Sequence, residues 1–512
     1  MTVPAGASSS LGTAPAGARP ARDPRLDRIA LGLLAGATLL HVLYAGLLPL
    51  SPQEAYYWAW SRRLDLSYFD HPGLSAWTIR AFTEIFGDSE RAIRLAAAFH
   101  SAVFGVFLWA TARRMLGSRV ALWTLGAGLA VPLFSVGQVI ITPDGPLLSG
   151  WAMALYFTVR ALDEDGRWLL AAGAAAGWAM LGKYTGALLL PQILAVLVAD
   201  PRGRRLLRTP WPWVGAALAL LLFSPAVIWN ARHAFASFEF QTAERAAASR
   251  FRPVLVGRFL GLQMLMASPV AFVLLVEAVV RAWGRRDRAE WRILFWFAAP
   301  LMAIAALVSP VHWVKANWLA PAYPAALVAA AALALEEGAS RARRIAGLAA
   351  LAVAVLGSLY LHVAFAGPWL PFPARDDLSA GWGELAGRVE AERAALPVGS
   401  FVAGCSYKVS AELAYNLPDR PRTWSSEIAG DHGLEYRIWF DPAELVGRDG
   451  IVVLDPREKG TCKRLAEACR PLDPLAPLTV YRGRDEVTTF QLWRCRYAGP
   501  PARPGAGPES GP

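Results

Sequence analysis

The run IALGLLAGATLLHVLYAGLLPL at Ile29–Leu50, followed directly by SPQEAYYWAWSRRLDLSYFDHP at Ser51–Pro72, decides how this chain is read. The first stretch is long and apolar enough to cross the roughly 30 Å of a bilayer's hydrocarbon as one helix. The second gathers acids, aromatics and a histidine where such a helix leaves the lipid, a composition suited to chemistry on a substrate delivered by the membrane.

Outward from that stretch the pattern repeats. Hydrophobic residues make up 55% of the chain, and they fall in blocks of roughly 14 to 25, near the length of a membrane span. Beyond Ile29–Leu50 these blocks are Leu95–Trp109, Val120–Ile140, Leu147–Leu162, Leu169–Leu181, Ala187–Ala199, Trp211–Trp229, Phe259–Val280, Ile293–Val308, Trp318–Leu335 and Ile345–Ala366. The expected fold is a polytopic α-helical membrane protein of about eleven spans.

Basic residues test that count, because cytoplasmic loops concentrate Lys and Arg. The clusters Arg22/Arg25/Arg28, Arg113/Arg114/Arg119, Arg202/Arg204/Arg205/Arg208, Arg281/Arg285/Arg286/Arg288 and Arg341/Arg343/Arg344 all fall on one side under it. The loop from Asn230 to Arg258 breaks the rule with five arginines on the other side, Arg245 among them; long loops follow the rule poorly, and this one could instead cradle an anionic lipid. The reading therefore puts the amino terminus in the cytoplasm and everything after Ala366 outside, in a bacterial inner membrane.

Residues 1–26 are rich in Ala, Gly, Pro and Ser and are expected to be a disordered cytoplasmic leader, the first span itself serving as targeting signal. Residues 27–366 form the transmembrane domain, with an interfacial loop at 51–94 expected to lie along the membrane as short amphipathic helices. Residues 367–498 alternate helical patterns (Ser379–Leu396, Lys408–Leu417, Lys459–Ala468) with strand-like runs (Ser400–Val402, Ile451–Leu454, Thr479–Tyr481, Thr488–Tyr497), which predicts a small extracytoplasmic α/β domain. Residues 499–512 read as a disordered tail. All four cysteines, Cys405, Cys462, Cys469 and Cys495, lie in the terminal domain. One or two disulfides in an oxidising compartment are expected, with three pairings open; no CxxC or histidine spacing supports zinc. The net charge of +11 comes from arginines at membrane flanks, without a recognition fold or basic-aromatic repeat, so nucleic acid is not a partner.

Four loops bring polar groups to the outer side: the loop at 51–94, TPD at Thr142–Asp144, GKYTG at Gly182–Gly186, and HWVKANW at His312–Trp318. Only Lys183 and Lys315, of five lysines, precede the terminal domain. A compact ammonium at a membrane end is a phosphate ligand or a snorkelling anchor. Each acid also has a structural reading: Glu54 as a charge in the first turn of a helix, Asp70 and His71 as parts of a turn, Asp144 as an N-cap. Trp58, Trp60, Trp313 and Trp318 fit an interfacial aromatic belt.

PQEAYYW, YFDHP, TPDGPL, GKYTG and HWVKANWLAPAYP, in that order and on one side, resemble the GT-C glycosyltransferases of the protein O-mannosyltransferase and lipid A aminoarabinose transferase group, in particular bacterial members similar to rhizobial lipopolysaccharide galacturonosyltransferases. The resemblance covers about residues 27–330 and extends more weakly through SYKVSAELAYNLPDRP at Ser406–Pro421. It implies transfer of a sugar from a polyprenyl-phosphate donor to a lipid A, glycan or protein acceptor at the outer face, through an inverting reaction with an acid of the first loop as base. Glu54, Asp70 and Asp144 are then the catalytic candidates, Glu54 first. Gln53, Tyr57, His71, Lys183, Tyr184, His312, Lys315 and Asn317 are expected to bind substrate, membrane lipids are partners, and no cofactor or metal is expected. Gln53 departs from the family, whose loop carries an acid there, and an amide cannot act as a base. A transporter or flippase for a lipid-linked or anionic substrate is the alternative, and a non-catalytic lipid-binding protein is the third reading.

Overall fold

The computed structural model describes residues 21–244, 250–458 and 462–501. Most of the expected leader and tail, Arg245, and the start of the Lys459–Ala468 helical pattern lie outside the described residues. The chain is a polytopic helical membrane protein carrying a small α/β domain at its carboxyl-terminal end. Among the described residues six helices have both the length and the hydropathy to cross a bilayer: Pro24–Tyr44 (α1), Glu90–Leu116 (α4), Trp211–Arg232, Ala289–Val308, Ala316–Leu335 and Arg341–Ala366. Ser118–Ala130 (α5), Asp144–Asp163, Trp168–Gly182 and Leu189–Ala199 are shorter or more polar and fill the bundle between them.

Two expected spans are not single helices: Val120–Ile140 is helical only to Ala130, with Pro132–Ser135 a separate short helix. Phe259–Val280 is broken into Val254–Ala267 and Pro269–Gly284, which meet at 103°. The cause is local: Pro269 cannot donate to the helix before it and pushes its neighbour out of the helical region, and Ser268 accepts the Ala271 amide as the cap of the new helix.

Ion pairs gather the arginine clusters at one end of the bundle. Asp27 binds Arg113, Arg114 binds Asp163, Arg202 binds Asp163 and Asp200, Arg292 binds Asp200, Arg285 binds Glu336 and Glu277 binds Arg343. Such partly exposed pairs contribute little stability each. Their value is positional: they put all five clusters on the same face.

At the opposite end, Pro52–Ser61 (α2) and Leu74–Phe86 (α3) form the loop between the first two long helices. Ser51 and Glu54 make a capping box, and Pro52 opens the helix. The expectation of a lipid-lying amphipathic helix fails for α2, because Glu54 through Ser61 are all buried. Trp58 and Trp60 are likewise not belt residues, being 3% and 0% exposed. They pack with Tyr56, Tyr68, Ala411, Tyr415 and Tyr436 in one cluster that takes side chains from both the loop and the terminal domain.

A second constraint fixes α2. Arg94, near the start of α4, donates from Nε and Nη2 to the two oxygens of Glu54 at 2.8 Å. Its other N–H groups reach the carbonyls of Ala45, Leu48 and Pro49. Glu54 also accepts from Ser51 N and Oγ at 3.0 Å. Both side chains are buried, at 2% and 0% exposure.

The terminal domain has a sheet in the order β2-β1-β3-β6-β4, with β5 paired to β6. The strands are Phe401–Gly404, Thr423–Trp424, Asp449–Leu454, Cys469–Pro474, Leu478–Arg482 and Asp485–Tyr497, β1 to β6 in chain order. β1 runs parallel to β2 and β3, and β6 antiparallel to β3 and β4. Helices Trp382–Arg393 and Tyr407–Asn416 cover one face through Trp382, Leu385, Val409 and Leu413. Cys405–Cys462 and Cys469–Cys495 are disulfide-bonded, one of the three pairings left open by the sequence.

Replacing Glu54 by Gln removes a charge and turns an amide donor towards the guanidinium, leaving Arg94 buried and underpaired. Glu54→Gln is expected to cost about 3 to 5 kcal/mol, read as a lowered melting temperature of the purified chain in detergent; unchanged melting contradicts the clamp. A pH effect follows from Glu427, whose carboxyl burial pushes up to about 7. Its folded form holds a proton that the unfolded chain, at its ordinary value near 4.5, has lost. Its contribution is therefore full below about pH 4.5 and is lost between there and 7, by an amount on the order of 3 kcal/mol. Melting of Glu427→Gln measured against the parent from pH 5 to 8 is expected to show the variant gaining relative stability as pH rises.

Candidate active site

The turn that carries Asp70 is built from the sequence YFDHP. Tyr68 N donates to His71 O and Ser67 bridges to Pro72, so five residues reverse direction within one turn. Three elements distant in sequence hold it. Gln241 Nε2 donates to Asp70 O at 2.5 Å, and Glu435, in the terminal domain, accepts Phe69 N–H at 2.6 Å. Tyr56 Oη donates to Asp70 Oδ1 at 2.9 Å and itself accepts from Glu435 N at 3.0 Å. Asp70 is 6% exposed.

Tyrosine hydroxyls surround this carboxylate. Burial foremost, and the negative field of Asp70 next, hold the Tyr56 and Tyr57 hydroxyls well above their ordinary range, and Tyr407 is raised in the same way. Protonated, the Tyr56 hydroxyl donates to Asp70. Tyr57 also feels Asp144, so the two carboxylates face one polar region. Gln53 lies at its edge, donating to Tyr57 Oη at 3.1 Å and accepting from Tyr407 Oη at 3.3 Å. Glu435 is pushed well above the carboxylate range by burial, with Asp70 and Asp65 adding to the shift against the Phe69 amide.

Asp144 opens the helix Asp144–Asp163, where negative charge suits the helix dipole. It makes no capping bond to its own helix. Its Oδ1 instead accepts from Lys183 Nζ at 2.9 Å and its Oδ2 from Asn317 Nδ2 at 2.5 Å. Three expected residues from three loops thus meet, with Lys183 14% and Asp144 16% exposed at the side chain. Beside them Tyr184 Oη bonds Ser237 Oγ at 2.7 Å and takes a longer bond from Asn230. His312 stacks on Trp318 at 5.8 Å, while Lys315 is exposed in the same loop. His71 is half-buried beside Asp70.

Glu54 does not join this group. Its oxygens are occupied by Arg94 and Ser51, and none of the side chain reaches solvent. Its geometry is that of the first-turn, capping reading, with both oxygens paired and away from the Asp144 cluster. Among the described residues no three His, Cys, Asp or Glu side chains gather so as to hold a metal ion.

Three residues escaped the sequence reading. Tyr56 sits inside the quoted EAYYW motif, but nothing distinguished it from Tyr57. Gln241 and Glu435 gave no signal, since each matters only through folding onto a turn 171 and 366 residues away.

Comparison with known proteins bears on the fold. The family model described as dolichyl-phosphate-mannose-protein mannosyltransferase matches residues 70–229, beginning at Asp70. A lipid A galacturonosyltransferase of Rhizobium johnstonii is 30% identical over 283 residues, which is 54% of this chain and 59% of that protein. The matched stretch thus spans less than two thirds of that relative. ArnT from Cupriavidus metallidurans, solved bound to undecaprenyl phosphate, superposes with a TM-score of 0.64 at 19% identity, over 91% of this chain and 97% of that one. An oligosaccharyltransferase from Archaeoglobus fulgidus gives 0.52 at 12% identity, over 83% and 69%. Across nearly its whole length the chain shares the fold of ArnT, and residues 70–229 match the mannosyltransferase family model.

Proposed function

We propose that this chain transfers a sugar from a polyprenyl-phosphate donor to an envelope acceptor, with lipid A or a related glycolipid as the favoured class, and that Asp70 is the base. The observation that carries the reading is the presence of two unlike groups at one end of the bundle: the Asp70 carboxylate, which accepts a buried tyrosine hydroxyl, and the Lys183 ammonium, held by Asp144, whose other oxygen accepts from Asn317. The match of residues 70–229 to the mannosyltransferase family model supports the reaction type. The undecaprenyl phosphate bound by the structurally similar ArnT supports the donor, and the lipid A galacturonosyltransferase supports the acceptor.

In the proposed step Asp70 takes the proton of an acceptor hydroxyl as its oxygen bonds the anomeric carbon. The bond from that carbon to the donor phosphate breaks, and polyprenyl phosphate leaves with the electron pair. Attack opposite the leaving group inverts the anomeric centre. Lys183 has three N–H groups, of which one goes to Asp144, so it can donate to the departing phosphate without losing its anchor. Lys315 and His312, in the neighbouring loop, extend the cationic edge, and the apolar outer faces of the helices suit the prenyl tail.

Orientation follows from charge. The end that holds the five arginine clusters faces the cytoplasm of a bacterial inner membrane, and the site with the terminal domain faces outward. Two disulfides in that domain suit the same, oxidising side.

Membranes supplied with labelled polyprenyl-phosphate sugar and lipid A test the reaction. Asp70→Asn is expected to lower transfer by about 10² to 10⁴ while melting as the parent does. If Asp70→Asn retains transfer, or if Glu54→Gln folds normally yet loses it, the base assignment is wrong. Lys183→Ala is expected to raise the donor KM by about tenfold or more at a stability close to the parent's, and an unchanged donor KM reduces the lysine to a membrane anchor.

A further inference from the structure

A second cleft, of about 240 Å³, opens where the loop carrying α2 meets the terminal domain. Arg62, Arg63, Arg420 and Arg422 line it together with the rings of Trp58, Tyr436 and Trp439, and Asp88 is the sole acid in its wall. Two of the arginines have structural employment. Arg420 pairs with Asp88 at 2.5 Å and lies over Tyr415 at 4.9 Å, and Arg422 pairs with Glu444 outside the cleft at 2.5 Å.

The other two do not neutralise. Arg62 reaches the already paired Asp88 only at 3.6 Å. Arg63 lies over Trp439 at 4.6 Å, and among the described residues no carboxylate stands within ion-pair distance of it. Burial, then the nearby Arg422, lowers the Arg63 guanidinium from its ordinary value. Four guanidiniums therefore share two acids in a partly enclosed space, a repulsion that an entering anion relieves. Planar guanidiniums favour bidentate phosphate contacts, and indole and phenol faces favour the flat side of a sugar ring.

The cleft's position links it to the reaction. Tyr436 in its wall stacks on Tyr56, with ring centres 6.3 Å apart, and Tyr56 donates to Asp70. One aromatic layer thus separates the cleft from the base. We propose that this cleft binds the phosphate-bearing sugar of the acceptor, holding the acceptor headgroup beside the site where its hydroxyl reacts. The inference rests on the transferase reading above.

The test measures binding without turnover, so it stands apart from the transfer assay. Full-length chain in lipid nanodiscs is titrated with bisphosphorylated lipid A, with enzymatically dephosphorylated lipid A, and with inorganic phosphate. The parent is expected to prefer the phosphorylated lipid by about tenfold or more, and the paired change Arg63→Ala with Arg422→Ala to reduce that preference to about twofold or less. Arg62→Glu, on an exposed side chain, is expected to weaken it in the same direction and serves if the paired variant does not fold. No preference in the parent, or a preference that survives in a variant melting normally, overturns the proposal. Inorganic phosphate binding as tightly as the phosphorylated lipid also overturns it, by making the cleft a simple anion trap. Asp70-dependent transfer together with indifferent arginines sinks only this inference, whereas arginine-dependent binding without any transfer sinks only the enzymatic reading.

Discussion

Arg94 and Glu54 form an ion pair with almost no access to water, and the rest of that end of the bundle is arranged around it. Arg94 spends all its donors on Glu54 and on the carbonyls of Ala45, Leu48 and Pro49, which close the end of the first membrane helix. A buried pair of this kind is poor value for stability compared with apolar packing, because both ions must leave water. What it does supply is geometry. It ties the exit of α1, the first turn of α2 and the start of α4 to one point, and a short helix full of aromatics then has one place to lie.

With α2 fixed, the terminal domain can close over it. Tyr56 reaches Asp70 on one side and receives the Glu435 amide on the other, so the turn at YFDHP is held by the membrane region, by Gln241 and by the terminal domain together. Asp70 owes its position to contacts from three parts of the chain, the buried Tyr56 hydroxyl among them. Glu435, beside it, is a carboxyl that burial holds well above its ordinary range, and the charge of Asp70 adds to that shift.

Local signals were readable and long-range ones were not. Apolar runs, arginine clusters and the strand-like stretches of the terminal domain are properties of short windows, and each marks an element in the structure. The break at Ser268–Pro269 was equally local and was passed over because the apolar run continues across it. Lys183, Asp144 and Asn317 could be nominated separately from their loops, and they meet in space; what they do there is the proposal above. The pairing of Glu54 was not legible because its partner is 40 residues away on another helix, and a carboxylate's role depends on who occupies its lone pairs. Trp58 and Trp60 were misjudged because the surface that covers them arrives some 350 residues later, with Tyr415 and Tyr436. The two short strands β2 and β4 carry too few apolar residues to announce themselves.

The central claim is that sugar transfer occurs between Asp70 and the Lys183 cluster, with Glu54 as a structural ion. A structure of the chain holding a non-cleavable polyprenyl-phosphonate sugar tests it most directly. The account predicts the phosphonate within hydrogen-bond distance of Lys183 Nζ, the anomeric carbon facing the Asp70 carboxylate, and Glu54 still paired to Arg94. A phosphonate seated at the arginine-rich end of the bundle, or Glu54 released from Arg94 and turned towards the anomeric carbon, would contradict it.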